Sequence, residues 1–112
     1  MAKQYNWHRL SDLYVIDGEI TVIEVSGKKI CMTRYNGQLY AFAYKCPHAG
    51  GIMADGYIDD SGNVVCPLHR YRFNVKNGYN SSGEGFYLKT YPLEDREDGI
   101  YLGLEKTGLF GW

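Results

Sequence analysis

Two short stretches constrain this chain more than anything else in it. Cys46-Pro47-His48-Ala49-Gly50-Gly51 and Cys66-Pro67-Leu68-His69 together use two of its three cysteines and two of its three histidines. A lone cysteine is most often a small buried hydrophobe, and a lone histidine a surface or hydrogen-bonded residue. By that standard Cys31 and His8, which have no partner nearby in sequence, are read as structural. Two matched loops, each offering one sulfur and one imidazole with a proline right after the cysteine, are a different matter. Three cysteines cannot all pair within the chain, and cysteine clustered with histidine points to metal rather than to disulfides. Cys46, His48, Cys66 and His69 are therefore the candidate metal ligands.

The spacing bears on which metal. Structural zinc sites often present like ligands together, as C-x-x-C followed by H-x3–5-H. Here each loop gives a mixed pair, which suits a binuclear iron–sulfur cluster gripped between two loops, both cysteines on one iron and both histidines on the other. Gly50 and Gly51 would let the backbone approach such a cluster closely. A zinc-stabilised interaction module remains the alternative.

The rest of the chain is read as scaffold. At 112 residues it is expected to be one domain spanning 1–112, and 45% apolar residues suffice for a core. No window approaches the roughly 18 apolar residues of a membrane span. The start, Met1 to Tyr5, lacks the apolar stretch of a secretory signal, so a cytoplasmic location is expected. A net charge of −1 gives no electrostatic reason to expect nucleic acid. No Ser–His–Asp arrangement, phosphate-cradling loop or dinucleotide fingerprint is found, so no catalytic set is assigned.

Short strands separated by turn signals predict an all-β fold, with 14 glycines punctuating the length and no sustained helical period. Tyr14–Ile16 and Glu19–Val25 flank Asp17-Gly18, and Lys29–Tyr35 and Gln38–Tyr44 flank Asn36-Gly37, both read as hairpins. Within the last of these, Leu39, Ala41 and Ala43 alternate with Tyr40, Phe42 and Tyr44, so both faces of the strand are expected to be covered. Further strands are expected at Asn63–Cys66, Arg72–Val75, Tyr87–Tyr91 and Ile100–Glu105. A turn is expected at Asn77-Gly78, a polar loop over Asn80–Gly85, and a solvated acidic turn over Glu94, Asp95, Glu97 and Asp98.

The two boxes resemble those of Rieske [2Fe–2S] proteins, in which two histidines replace two cysteines on one iron. The likeness extends to A-F-A-Y-K before the first box, A-D-G-Y-I-D-D between the two, Y-R-F-N-V-K-N-G after the second and Y-P-L-E near the end. It covers roughly residues 20 to 105 and is nearest to the small soluble Rieske-type ferredoxins that serve oxygenases. The resemblance implies an antiparallel β-sandwich of small sheets with a cluster-binding subdomain of two loops, approximately residues 44–73. It also implies a [2Fe–2S] cofactor on Cys46, Cys66, His48 and His69, with the cysteines on the buried iron. Membrane respiratory members tie the loops with a disulfide; here the matching positions are Gly51 and Leu68. Where that branch places hydrogen-bonding serine and tyrosine, this chain has Tyr71 and Phe73, which implies a potential low in the Rieske range.

The function so implied is one-electron transfer from a reductase to an oxygenase or other oxidoreductase. The alternative within the same fold is a small subunit of a reductase such as a nitrite reductase. Ala49, Ile52, Met53, Pro67 and Leu68 are expected to ring the site with apolar contacts, with Lys45, Arg70 and Arg72 favouring acidic partners. The Leu109–Trp112 tail is expected to fold back onto the domain.

Overall fold

Asn36-Gly37 makes the hairpin its residues dictate. Both take positive φ, 52° and 80°, the pair of values a type I′ turn needs. Tyr35 then pairs with Gln38 and the register runs back to Ile30 opposite Ala43. The computed structural model describes residues 4–10 and 14–106, and among these there is no α-helix. The strands are β1 (Tyr5–Arg9), β2 (Ile20–Val25), β3 (Lys28–Tyr35), β4 (Gln38–Ala43) and β5 (Tyr57–Ile58). After these come β6 (Asn63–Val65), β7 (Arg72–Asn74), β8 (Thr90–Tyr91), β9 (Leu93–Arg96) and β10 (Gly99–Glu105).

They form three small sheets, ordered β1-β10-β9, β2-β3-β4-β8 and β5-β6-β7, with every strand pair antiparallel. The four-stranded sheet lies in the middle. Side chains alternate along a strand, so Ile30, Met32 and Ala41 join Leu10, Val15, Val25, Tyr91 and Leu102 in one core. Cys31 and Phe42, on the opposite face, join Met53, Val64, Phe73, Val75 and Leu88 in the other, and this second core runs on to Cys46 and Cys66. Both faces of β4 are covered, as its alternation predicts. The all-β expectation holds.

Local readings fared unevenly. The first hairpin turns at Ser26-Gly27 (φ 51° and 78°), joining Val25 to Lys28, and not at Asp17-Gly18. Asp17-Gly18 is a tight turn, with Glu19 N–H donating to Ile16 O (3.0 Å), but its flank is tied elsewhere. The Gly37 N–H donates to the Asp17 carboxylate (3.1 Å) and Arg34 to Val15 O (3.1 Å), so residues 14–19 cross the tip of the β3–β4 hairpin. Of Tyr87–Tyr91 only Thr90–Tyr91 is strand, because Leu88 N–H is drawn to Gly78 O (3.0 Å). The acidic run is half strand: Glu94 and Asp95 lie on β9, and Glu97-Asp98 turn into β10. Strands β1 and β5 had no sequence signal strong enough to be read. The Leu109–Trp112 tail lies outside the described residues.

Candidate metal centre

The two boxes are built alike. Lys45 bridges Ile52 across the first, and Val65 pairs with Arg72 across the second. Inside each frame the cysteine N–H closes the loop: Cys46 onto Gly51 O at 2.7 Å and Cys66 onto Tyr71 O at 2.9 Å. Residues 47–50 and 67–70 thus form two tips of equal length, with a cysteine at the base of each. The strands feeding them end at Ala43 and Val65. A second tether fixes the unit to the central sheet, as Tyr35 Oη donates to Asp60 O at 2.8 Å.

At the bases, Cys46 (3% exposed) and Cys66 (0%) lie in the core as free thiols. Burial pushes the Cys66 thiol above its ordinary range; the Leu68 N–H pulls it down and the neighbouring Cys46 side chain pushes it up again. Two adjacent buried thiols, with Cys66 made reluctant to ionise, are what a cation between them would relieve. The loops meet at Gly51, where an added Cβ would stand 3.2 Å from Cys66 Sγ and 3.0 Å from Leu68 Cγ. Close approach is therefore the role of Gly51. Gly50 serves the turn instead, with φ 72° and open space around it.

Outside the thiols sit the imidazoles, ring centroids 5.0 Å apart. His48 is half-buried, and its Nδ1 is buried without a hydrogen-bond partner. An orphaned buried nitrogen is costly unless something takes its lone pair. Tyr71 stacks on the His48 ring (4.1 Å, 26°) and Phe86 meets it edge-on (5.5 Å). His69 is exposed. Among the described residues no three of His, Cys, Asp and Glu converge to hold a single ion. Two sulfurs inside and two nitrogens outside fit a binuclear group better than one zinc ion.

Sequence reasoning missed the lid over His48. The Asn80–Gly85 segment, read as a plain polar loop, is organised by the buried Asn80 side chain. Its amide donates to Arg72 O (3.0 Å), Ser82 Oγ (3.1 Å) and Glu84 Oε1 (2.8 Å), while its carbonyl accepts from the N–H of Glu84 (2.8 Å) and Phe86 (3.3 Å). That network places Phe86. Its only signal in sequence was an asparagine ahead of Ser-Ser-Gly-Glu-Gly. Of the expected apolar ring, Ala49, Pro67 and Leu68 are exposed and Ile52 half-buried, but Met53 is 0% exposed and belongs to the core. Arg72 is paired with Asp59 (3.3 Å) and is not a free surface cation. Cys31 and His8 stay apart from the site, on β3 and β1.

Three small antiparallel sheets that carry two cysteine–histidine tips define the class, an all-β protein whose side chains fit a metal cluster. The family description "Rieske [2Fe-2S] domain" matches residues 4–92, and the chain belongs to that family, whose cofactor is the [2Fe–2S] cluster. It is 36% identical over 94 residues to the 3-phenylpropionate/cinnamic acid dioxygenase ferredoxin subunit of Shigella flexneri serotype 5b, covering 83% of this chain and 88% of that one. It is 33% identical over 86 residues to the naphthalene 1,2-dioxygenase system ferredoxin component of Pseudomonas putida (76% and 80% covered). Among solved structures it is similar to one described as a complex of reduced oxygenase and oxidized ferredoxin in carbazole 1,9a-dioxygenase. There the TM-score is 0.73 at 25% identity, with 87% and 92% covered.

Proposed function

We propose that Cys46 and Cys66 hold one iron and His48 and His69 the other, and that the chain passes single electrons from a reductase to an oxygenase. One observation carries the assignment: a buried thiol pair and an outer imidazole pair lie together, with His48 Nδ1 buried and unpartnered. When bound, a [2Fe–2S] cluster supplies reversible one-electron chemistry. Neutral imidazoles in place of two thiolates leave the oxidised assembly near zero charge instead of about −2. That eases reduction in a low-dielectric site.

This chain's own residues do the rest. The thiols anchor the inner end in the core, Tyr71 and Phe86 keep water from the His48 ring, and the exposed His69 offers the edge through which an electron enters and leaves. The relatives named above are ferredoxin components of oxygenase systems, which supports an oxygenase as the acceptor here. We place the protein in the cytoplasm, where free thiols such as Cys31 persist; among the described residues no helix is long and apolar enough to cross a membrane.

Iron and acid-labile sulfide assays with EPR of the reduced protein test the reading. Wild type and Cys31→Ala should load two irons and show a Rieske-type signal. Cys46→Ser, Cys66→Ser, His48→Ala and His69→Ala should each lose it. A signal surviving in any of the last four would refute that ligand.

A further inference from the structure

The equal build of the two loops allows a position-by-position comparison within one protein. Counted from its cysteine, Gly50 in the first tip corresponds to Arg70 in the second. Both take positive φ, 72° for Gly50 and 57° for Arg70, and Arg70 follows His69, itself at 63°. Glycine adopts that region freely, whereas a residue with a Cβ is strained there. The first loop uses the residue the backbone asks for; the second does not. Strain kept at a site calls for a reason in the side chain.

Inside the fold the Arg70 side chain has no such reason. It is exposed, and among the described residues it enters no hydrogen bond, ion pair or ring contact. Each of the other four arginines is engaged: Arg9 with Asp98, Arg34 with the carbonyls of Val15 and Gly37, Arg72 with Asp59, and Arg96 with Glu94 and the Tyr101 ring. Lys45, exposed beside Cys46, adds a second cation at the base of the first loop. Across the site, Glu84 is held by Ser82 and Asn80 on the covered His48 side. The face is therefore polarised, with the cation at its open end.

We propose that Arg70 is a recognition residue, presenting an unpartnered cation beside the exposed His69 to a carboxylate on the protein that exchanges electrons there. The proposal rests on His69 being a ligand of the cluster. It commits the partner to an acidic docking patch, although this chain's own net charge is −1.

Small oxidants of opposite charge probe the exit without a known partner. Dithionite-reduced holoprotein is mixed in stopped flow with ferricyanide, a trianion, or hexaammineruthenium(III), a trication, over a range of ionic strength. Reduction potentials of all variants are measured so that driving force can be separated. The ferricyanide rate should fall as salt rises, as it would for a positively charged exit, and Arg70→Gly should lower it by roughly tenfold at low salt. The same change should raise the ruthenium rate. Arg70→Lys should keep the wild-type pattern. Because glycine relieves the backbone, Arg70→Gly should melt at the same temperature as wild type or a few degrees higher. Unchanged rates and salt slopes in Arg70→Gly would overturn the proposal, as would a clear loss of stability, which would make Arg70 structural. Absence of a Rieske EPR signal in the wild type would fail earlier, and would overturn the electron-transfer reading together with this one.

Discussion

Replacing Gly51 by alanine tests how tightly the two loops are apposed. The new Cβ would meet Leu68 Cγ at 3.0 Å, Leu68 Cδ1 at 3.1 Å and Cys66 Sγ at 3.2 Å, each a few tenths of an ångström inside comfortable contact. The backbone adds no strain, because Gly51 does not sit at positive φ. Overpacking of this degree costs about 1–3 kcal/mol, and the stiffer alanine returns about half a kcal/mol through the unfolded state, leaving a net loss of about 1–2 kcal/mol. For a domain of this size that is a fall in Tm of roughly 4–10 °C. The neighbours differ in what they can yield. Leu68 is 43% exposed and can swing outward, whereas Cys66 is 0% exposed and cannot. Gly51→Ala should therefore lower iron content per chain as well as Tm. Adding Leu68→Ala should recover much of the Tm but little of the iron loading, since the contact to sulfur remains. Thermal melts with iron and sulfide assays on the single and double variants read this directly. A Gly51→Ala protein matching wild type in Tm, iron content and potential would refute the apposition argument.

Four other outcomes are expected. Burial pushes the Asp59 carboxyl up, but the Asn63 and Ser61 donors and Arg72 outweigh it and hold the carboxyl below its ordinary range. A depressed folded value gives stability that is present above the unfolded value near pH 4 and lost as pH falls through the folded one. Asp59→Ala should thus cost about 2 kcal/mol at pH 7 in urea melts, with the gap to wild type narrowing below about pH 4; a gap that widens in acid would contradict the assignment. Asn80→Ala should cost about 2 kcal/mol and speed amide exchange across residues 80–86, and unaltered exchange there would mean the lid does not depend on Asn80. The Cys31 thiol is pushed up to about 12 by burial and by the nearby Asp55 charge, so iodoacetamide at pH 8 should label it only after unfolding; rapid native labelling would show an open core. With Phe73 lacking a hydroxyl and Tyr71 stacked on His48, the reduction potential should lie toward the lower end of the Rieske range, and protein-film voltammetry finding it above about +100 mV would refute this.

What could be read from the chain beforehand divides along physical lines. The candidate ligands and the Asn36-Gly37 turn were legible because their chemistry is local: a few residue types in one order suffice. The alternation in β4 was legible because both of its faces are buried. Strand β5 has only two residues, and β9 carries Glu94, Asp95 and Arg96, so neither has a pattern to detect; they are strands because β6 and β10 lie beside them. Asp17-Gly18 looked like a hairpin, but the competing bonds from Gly37 and Arg34 come from residues far along the chain. In the site, the four candidate ligands were visible, while the Tyr71–His48 stack, the Phe86 cover and the fixed charge of Arg72 were not. Each of those depends on a loop closed by tertiary contacts. Met53 was misplaced at the surface for the same reason: its burial follows from the bond between its N–H and Tyr44 O (2.8 Å), which turns it inward.

The unequal covering of the two imidazoles has a kinetic consequence. On the ligand set proposed above, with the His48 side roofed by aromatic rings, the exposed His69 edge is the doorway for charge among the described residues, and supplier and consumer would queue at it. They cannot both be bound productively, so every cycle includes a departure and a fresh arrival. Grip at that doorway must then be loose enough to let go on the timescale of turnover, and a surplus of either partner should slow the relay by crowding out the other.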